Sequence, residues 1–61
     1  MREWIKTSEQ LPTENAVVLT KIHDEKGPRN VAMLLRKGNL WFLHDGSMYV
    51  YYTPTHWRSI I

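Results

Sequence analysis

Four consecutive apolar residues, Leu40-Trp41-Phe42-Leu43, lie between two turn signals, Gly38-Asn39 and Asp45-Gly46. A strand with one face in water alternates apolar and polar residues, whereas a continuous apolar run between turns is typical of a strand covered on both faces. In a chain of 61 residues, such a strand has to lie near the centre of the fold. The run therefore predicts a small sheet protein, and it raises the question of what covers the second face of the sheet.

The flanking segments predict further strands. Residues 16–23 are mostly β-branched and apolar, which favours a strand, and residues 24–29 contain charges and a Gly-Pro breaker, which predicts a loop. Residues 30–37 include several good helix formers, but they span only about eight positions between breakers, so a strand is favoured and a helix stays the alternative. Gly38-Asn39 then predicts a two-residue hairpin turn.

This turn sets a register that pairs Lys37 with Leu40 and Leu34 with Leu43, and the next turn pairs Phe42 with Tyr49. Alternation then gives one face Val31, Met33, Leu35, Leu40, Phe42, Tyr49 and Tyr51, and the other face Ala32, Leu34, Arg36, Trp41, Leu43, Met48, Val50 and Tyr52. Both sets are mainly apolar, and a monomer seldom leaves such a patch exposed, so we expect each face to be covered. Trp4 and Trp57, near the two ends, are the expected cover for the face of Trp41.

The expected fold is all-β or β-rich. It is a single small domain over residues 1–61, with an antiparallel sheet of about four strands that is curled toward a barrel-like shape and has both terminal segments packed on it. We expect Trp4, Leu11, Trp41 and Trp57 to be its structural anchors. Because a chain this short and without cysteine has no disulfides, large aromatic side chains, self-association or a partner must supply stability.

Composition narrows the classes of function. Eight basic and six acidic residues give a net charge of +2, and the basic residues are spread along the sequence rather than clustered as in a dedicated electrostatic binder. No apolar stretch approaches the ~20 residues of a membrane-spanning helix, so we expect no membrane association. The absence of cysteine is compatible with a reducing cytoplasm, the location that we expect.

Three short motifs carry a family resemblance: Trp4-Ile5 near the start, Leu11-Pro12 after a polar run, and Thr55-His56-Trp57 near the end. In this order, around a Gly-x-x-Trp centred on Trp41, they resemble the domain-of-unknown-function family 551, small proteins common in phage and prophage genomes. The resemblance spans nearly the whole chain and implies a β-rich fold and a phage-type context in the cytoplasm of a host cell. It transfers no catalytic residue, and Arg58-Ser59-Ile60-Ile61 replaces a proline-rich tail that members often have.

The residues predict no enzyme and no cofactor. His23-Asp24, His44-Asp45 and His56 are of metal-ligating types, but each His-Asp pair lies where a strand enters a turn, and neighbours on a strand point to opposite faces. We therefore expect structural histidines and no metal site. The serines lie in no nucleophile-elbow context, the glycines lie at predicted turns, and a chain this small is not expected to enclose a small-molecule substrate.

Binding is the expected function, with Met33, Lys37, Phe42, Tyr49 and Tyr51 as the candidate surface. Tyr, Trp, Met and Arg are enriched at the centres of protein interfaces, so the leading expectation is a protein partner, either a host factor or a second copy in a homodimer. The alternative is single-stranded DNA or RNA, whose bases stack on exposed aromatic side chains beside cations such as Lys21 and Lys37.

Overall fold

The computed structural model describes residues 3–60, which form one antiparallel sheet. Its strands are β1 (Ile5–Lys6), β2 (Val17–Asp24), β3 (Gly27–Lys37), β4 (Leu40–Leu43) and β5 (His56–Ser59). In space they follow the order β1-β5-β2-β3-β4, so β1 and β4 are the edges and the sheet is not closed into a barrel. The prediction of an all-β antiparallel fold is confirmed. Within residues 3–60, no helix is long and apolar enough to cross a membrane.

The β3–β4 hairpin has the register that its turn predicts. Leu34 pairs with Leu43, and Lys37 pairs with Leu40. Gly38 adopts a φ of +61°, a conformation that glycine reaches without the steric cost of a Cβ atom. Residues 30–37 are therefore part of a strand and not of a helix.

The β2–β3 hairpin is longer and tighter than the sequence predicts. Instead of a loop over residues 24–29, the two strands continue until Asp24 pairs with Gly27. The Asp24 carboxylate accepts a hydrogen bond from the Lys26 N–H at 2.9 Å, and Gly27 has a φ of +96°. Because these local features close a tight turn, the charged residues that resemble a loop belong to the end of a hairpin.

Both terminal segments are strands of the sheet rather than cover packed on it, so the sheet has five strands instead of about four. β5 lies between β1 and β2, where Trp57 pairs with Ile5 on one side and with Thr20 on the other. The physical reason is that the outer edge of β2 presents backbone N–H and C=O groups that need partners, and β5 supplies them.

The hydrophobic core lies on one face of the sheet, which we call the covered face. Val18, Leu34, Trp41 and Trp57 are buried there, and Ile5, Ala32, Val50 and Tyr52 pack against them. Residues 7–16 form a loop over this face. The Trp57 indole N–H donates to the Gln10 carbonyl at 2.8 Å, and the Arg36 guanidinium donates to the Pro12 carbonyl at 2.9 Å.

Two of the four expected anchors, Trp41 and Trp57, are thus in the core, and the other two are not. Leu11 is 48% exposed, and its neighbour Pro12 is the buried residue of the pair. Trp4 lies on the opposite face, where Lys21 stands over its ring. Neighbouring side chains on a strand point to opposite faces, and Ile5 is the one that packs against the core. Trp4 therefore does not close over Trp41.

The segment after β4 pairs with it only briefly. Phe42 and Tyr49 form a bridge, as predicted, and the Val50 N–H donates to the Trp41 carbonyl at 2.8 Å. The chain then bends at residues 51–52, so the pairing ends and Tyr52 packs against the core. Together with the loop of residues 7–16, this segment covers one face of the sheet.

Two leucines on opposite faces provide a test of this arrangement. Leu34 is 0% exposed and Leu40 is 47% exposed. Leu34→Ala should lower the free energy of unfolding by about 2–5 kcal/mol, because it leaves a cavity in the core. Leu40→Ala should lower it by less than about 1 kcal/mol. Urea denaturation followed by tryptophan fluorescence measures both losses, and equal losses would contradict the assignment of the faces.

Candidate interaction surface

The face opposite to the core, which we call the open face, carries most of the exposed apolar side chains of the sheet. Strand alternation and the observed register assign to it Lys6, Val17, Leu19, Lys21, His23, Pro28, Val31, Met33, Leu35, Lys37, Leu40, Phe42, His56 and Arg58. Val31, Met33 and Leu40 are among its exposed members. The sheet of this chain is thus packed on one side and accessible on the other.

An apolar strip crosses the middle of the open face and consists of Val17, Leu19, Val31, Met33 and Leu35. Val17 pairs with Leu35, and Leu19 pairs with Met33, so these side chains are direct cross-strand neighbours. Leu35 is buried by its neighbours, whereas Met33 is 48% exposed. The strip is a continuous apolar surface without a hydroxyl, amide or charge at any of its five positions.

At one end of the strip lies the Phe42 cluster, formed by Phe42, Lys37, Tyr49 and Tyr51. The Phe42 and Tyr49 rings meet edge to face with centroids 6.1 Å apart, and the Tyr49 and Tyr51 rings meet in the same way at 5.2 Å. The Lys37 Nζ lies 5.3 Å from the Phe42 ring centroid. Tyr51 is 86% exposed, so the row of rings ends in a side chain that is almost free in solvent.

At the other end lies the Trp4 cluster, formed by Trp4, Lys21 and Arg58. The Lys21 Nζ lies 4.3 Å from the centroid of the Trp4 ring, and the Arg58 Cζ lies 5.6 Å from it. Two cations therefore contact one indole ring, an arrangement in which each is attracted to the ring and repelled by the other. β1, β2 and β5 meet here, so the cluster exists only in the folded chain.

The charges of the open face have one sign. Four of the eight basic residues lie at its strand positions: Lys6, Lys21, Lys37 and Arg58. None of these positions carries an acidic residue, because the six acidic residues lie before β1, in the loops and at the β2–β3 turn. The ion pairs formed among residues 3–60 join Arg29 to Asp24 and Arg36 to Glu14, so none of these pairs involves a cation of the open face.

Arg58 has a further unsatisfied group. Its Nε is shielded from solvent and has no hydrogen-bond partner in the part of the chain that the structure describes. A buried donor of a charged group that makes no hydrogen bond lowers stability, and such a group is accordingly uncommon in folded proteins. The unpaired Nε therefore costs stability at the Trp4 cluster, and its shielding keeps it out of reach of groups in solvent.

The histidines and their neighbouring aspartates do not meet in one site. Asp24 and Asp45 each accept a hydrogen bond from the backbone N–H two residues on, Lys26 and Ser47 respectively, and these bonds lower the pKa of both carboxyls. The carboxylates therefore close turns, as their positions in the sequence predict. Residues 3–60 contain no group of three or more His, Cys, Asp or Glu side chains that could hold a metal ion.

His56 lies at the margin of the Trp4 cluster. Its ring centroid is 6.0 Å from that of His23, and its Nδ1 shares a 2.8 Å hydrogen bond with the Thr55 hydroxyl. Burial lowers the pKa of His56, and the positive charges of Lys21, His23 and Lys6 lower it further, while Glu9 acts weakly in the opposite direction. Burial is thus the main cause of the depressed pKa of His56, and the neighbouring positive charges add to it.

Residues 49–52 also line two open cavities. One, of about 380 Å³, is also lined by Asn39, Leu40 and Trp41. The other, of about 320 Å³, is also lined by Leu43 and Met48. The tyrosines of this segment consequently border depressions rather than a flat surface.

The five residues predicted as a binding surface, Met33, Lys37, Phe42, Tyr49 and Tyr51, do lie together, at the strip and in the Phe42 cluster. Sequence reasoning missed Trp4 and Arg58 as members of the same face. They come from opposite ends of the chain, and no local signal in the sequence pairs them. Alternation along Trp57-Arg58 could have indicated that Arg58 points away from the core, had the strand β5 been predicted.

A family model described as protein of unknown function, DUF551, matches residues 3–60, nearly the whole chain. Neither the search of curated proteins nor the search of solved structures found a significant match. The motifs that carry the resemblance lie inside the matched range, and two of them meet in space, since Ile5 pairs with Trp57.

The depressed pKa of His56 predicts a pH dependence of stability. The unfolded chain binds the proton at the ordinary pKa of about 6.5 and the folded chain only at a lower pH, so the free energy of unfolding should fall as the pH drops from that value toward the folded pKa. Above about pH 6.5 the part of the free energy of unfolding that depends on neutral His56 should be fully present. Urea unfolding at intervals from about pH 7.5 to about pH 5 measures the slope, which His56→Gln should reduce. An unchanged slope in the variant would contradict the assignment.

Proposed function

Because the chain belongs to the DUF551 family, whose description assigns no function, we propose a function from the open face: a non-catalytic module that binds a protein partner. The observation that carries the proposal is the apolar strip, with Met33 at its exposed centre and aromatic rings and cations at both ends. Met, Tyr, Trp and Arg are the side chains enriched at the centres of protein interfaces. An exposed apolar patch rimmed by polar groups is a common mark of an interaction site.

The setting proposed for this binding is that of a phage or prophage accessory protein in the cytoplasm of the host cell, with a host factor as the partner. The support for it is the family membership together with the phage-type context that the resemblance implies. A binding role also agrees with the chemistry of the open face, where the side chains at the strand positions are apolar, cationic or imidazole and none is placed as a nucleophile beside a general base.

A pair of substitutions with equal exposure tests the proposal. Met33 and Leu11 are each 48% exposed, but only Met33 lies on the open face. Met33→Asp should abolish the capture of a partner from infected or lysogen-bearing cells, because it puts a charge into the centre of an apolar contact. Leu11→Asp should leave capture unchanged. Affinity capture with both variants and the natural chain, followed by mass spectrometry, provides the measurement.

Circular dichroism and urea unfolding serve as the control that both variants fold. A partner retained by Met33→Asp, or lost equally in both variants, would place the interaction away from the open face and contradict the proposal. Tyr51→Ala adds an independent readout. Its side chain is 86% exposed, so its removal should change the free energy of unfolding by less than about 0.5 kcal/mol, and it should still weaken capture.

The gathering of four cations beside exposed aromatic rings favours a second candidate, single-stranded nucleic acid. Bases stack on exposed rings, and phosphates contact neighbouring cations. Fluorescence anisotropy with a labelled oligothymidine of about 20 nucleotides, at about 50 mM salt, tests this candidate. Binding that weakens with added salt and with Tyr51→Ala would favour nucleic acid, and the absence of binding at low salt would exclude it.

A further inference from the structure

We infer that the partner of the open face is an acidic protein segment: a stretch with apolar side chains in its middle and carboxylates toward both ends. This inference rests on the proposed function and adds the chemical class of the partner. It is carried by two observations together, the arrangement of cations at both ends of the apolar strip and the absence of carboxylates from the strand positions of this face.

The cations of the open face are the first support for an acidic partner. Lys21 and Arg58 share the Trp4 ring, and Lys37 lies over Phe42, while the two ion pairs among residues 3–60 join Asp24 to Arg29 and Glu14 to Arg36. A cation–π contact leaves an ammonium or guanidinium group with unused donors. A carboxylate from a partner would satisfy these donors with charge-assisted hydrogen bonds.

The spacing of these cations on the sheet is the second support. Arg58 is level with Met33 across β5, β2 and β3, and Lys37 lies four residues farther along β3. With ~3.3 Å per residue and ~4.8 Å between strands, the backbone positions of the two residues are roughly 13 Å apart along the strands and about 10 Å apart across them. The apolar strip lies between Arg58 and Lys37 on the sheet. A segment that lies over the strip therefore meets a cation near each of its ends.

The charges of the open face also distinguish an acidic partner from a second copy of the chain. Two open faces packed against each other would bring four cations against four, with no carboxylate at the strand positions of either face to compensate. Like charges brought together at an interface cost affinity rather than add to it. The middle of the face also argues against nucleic acid, since the strip consists of aliphatic side chains and methionine and offers no ring on which a base could stack.

Selection from a peptide library provides the test. A displayed library of random peptides about 16 residues long, which in extended form can span both clusters, is selected on the full natural chain. Peptides that also bind Met33→Asp are removed. The remaining peptides should be enriched in Asp and Glu on both sides of an apolar centre. For a selected peptide, replacement of its Asp and Glu by Asn and Gln should weaken binding about tenfold or more at about 50 mM salt, and the difference should shrink at about 500 mM.

A matched pair of charge reversals locates the contact. Lys37 and Lys26 are both exposed, but Lys37 belongs to the Phe42 cluster and Lys26 to the β2–β3 turn. Lys37→Glu should weaken binding of the selected peptide about tenfold, whereas Lys26→Glu should change it less than about twofold. Lys37→Gln, which removes the charge without reversing it, should give an intermediate loss and serves if Lys37→Glu does not fold.

Several results would overturn the inference. Peptides that depend on Met33 but carry no excess of Asp and Glu, or that tolerate Lys37→Glu, would leave the proposed function standing and remove its acidic partner. A library that yields no peptide dependent on Met33 would count against both the proposed function and the acidic partner. Sedimentation that shows a dimer broken by Met33→Asp would assign the face to a second copy. Oligothymidine binding with the same sensitivity to Lys37→Glu would assign it to nucleic acid.

Discussion

The insertion of β5 between β1 and β2 is the interaction on which the rest of the structure depends. Trp57 pairs with Thr20 on one side and with Ile5 on the other, and its ring enters the core, where its indole N–H holds the loop of residues 7–16 through Gln10. Because side chains alternate along a strand, the burial of Trp57 obliges Arg58 to point to the open face. A register slip by one residue would exchange these two side chains, remove a ring from the core and bury a charge. Core and candidate surface are thus decided by the same pairing.

The accessibility of the open face follows from the small size of the domain. A sheet of five strands has two faces, and a chain of 61 residues has connecting segments enough to cover one of them. Those segments, residues 7–16 and the stretch after β4, are both held over the covered face by backbone and side-chain hydrogen bonds. The second face keeps the apolar composition of a core strand, with Leu35 buried among its neighbours and Met33 half in solvent. An apolar face without cover is the feature that most needs a functional explanation.

The sequence predicted the local part of the fold well. The β3–β4 register follows residue for residue from Gly38-Asn39, because a two-residue turn leaves one way to pair the strands that it joins. The division of the hairpin into two faces follows from the same turn, and the Phe42–Tyr49 bridge follows from the next turn, around Asp45-Gly46. Two errors were local as well: the β2–β3 turn was predicted as a loop, since its Asp, Glu, Lys, Gly and Pro are typical of both, and Leu11 rather than Pro12 was expected in the interior. Of the candidate site, the half built on the β3–β4 hairpin was predictable.

The sequence by itself determined the class of fold, the central hairpin, the assignment of Trp41 to one face and Phe42 to the other, and the family. The tertiary structure alone decided that the ends of the chain are strands, that Trp57 and not Trp4 joins Trp41, and that cations scattered through the sequence gather on one face. The physical reason is the range of the interactions. Turns and alternation act between near neighbours in the chain, whereas Trp4, Lys21 and Arg58 meet only because β1, β5 and β2 satisfy each other's backbone hydrogen bonds.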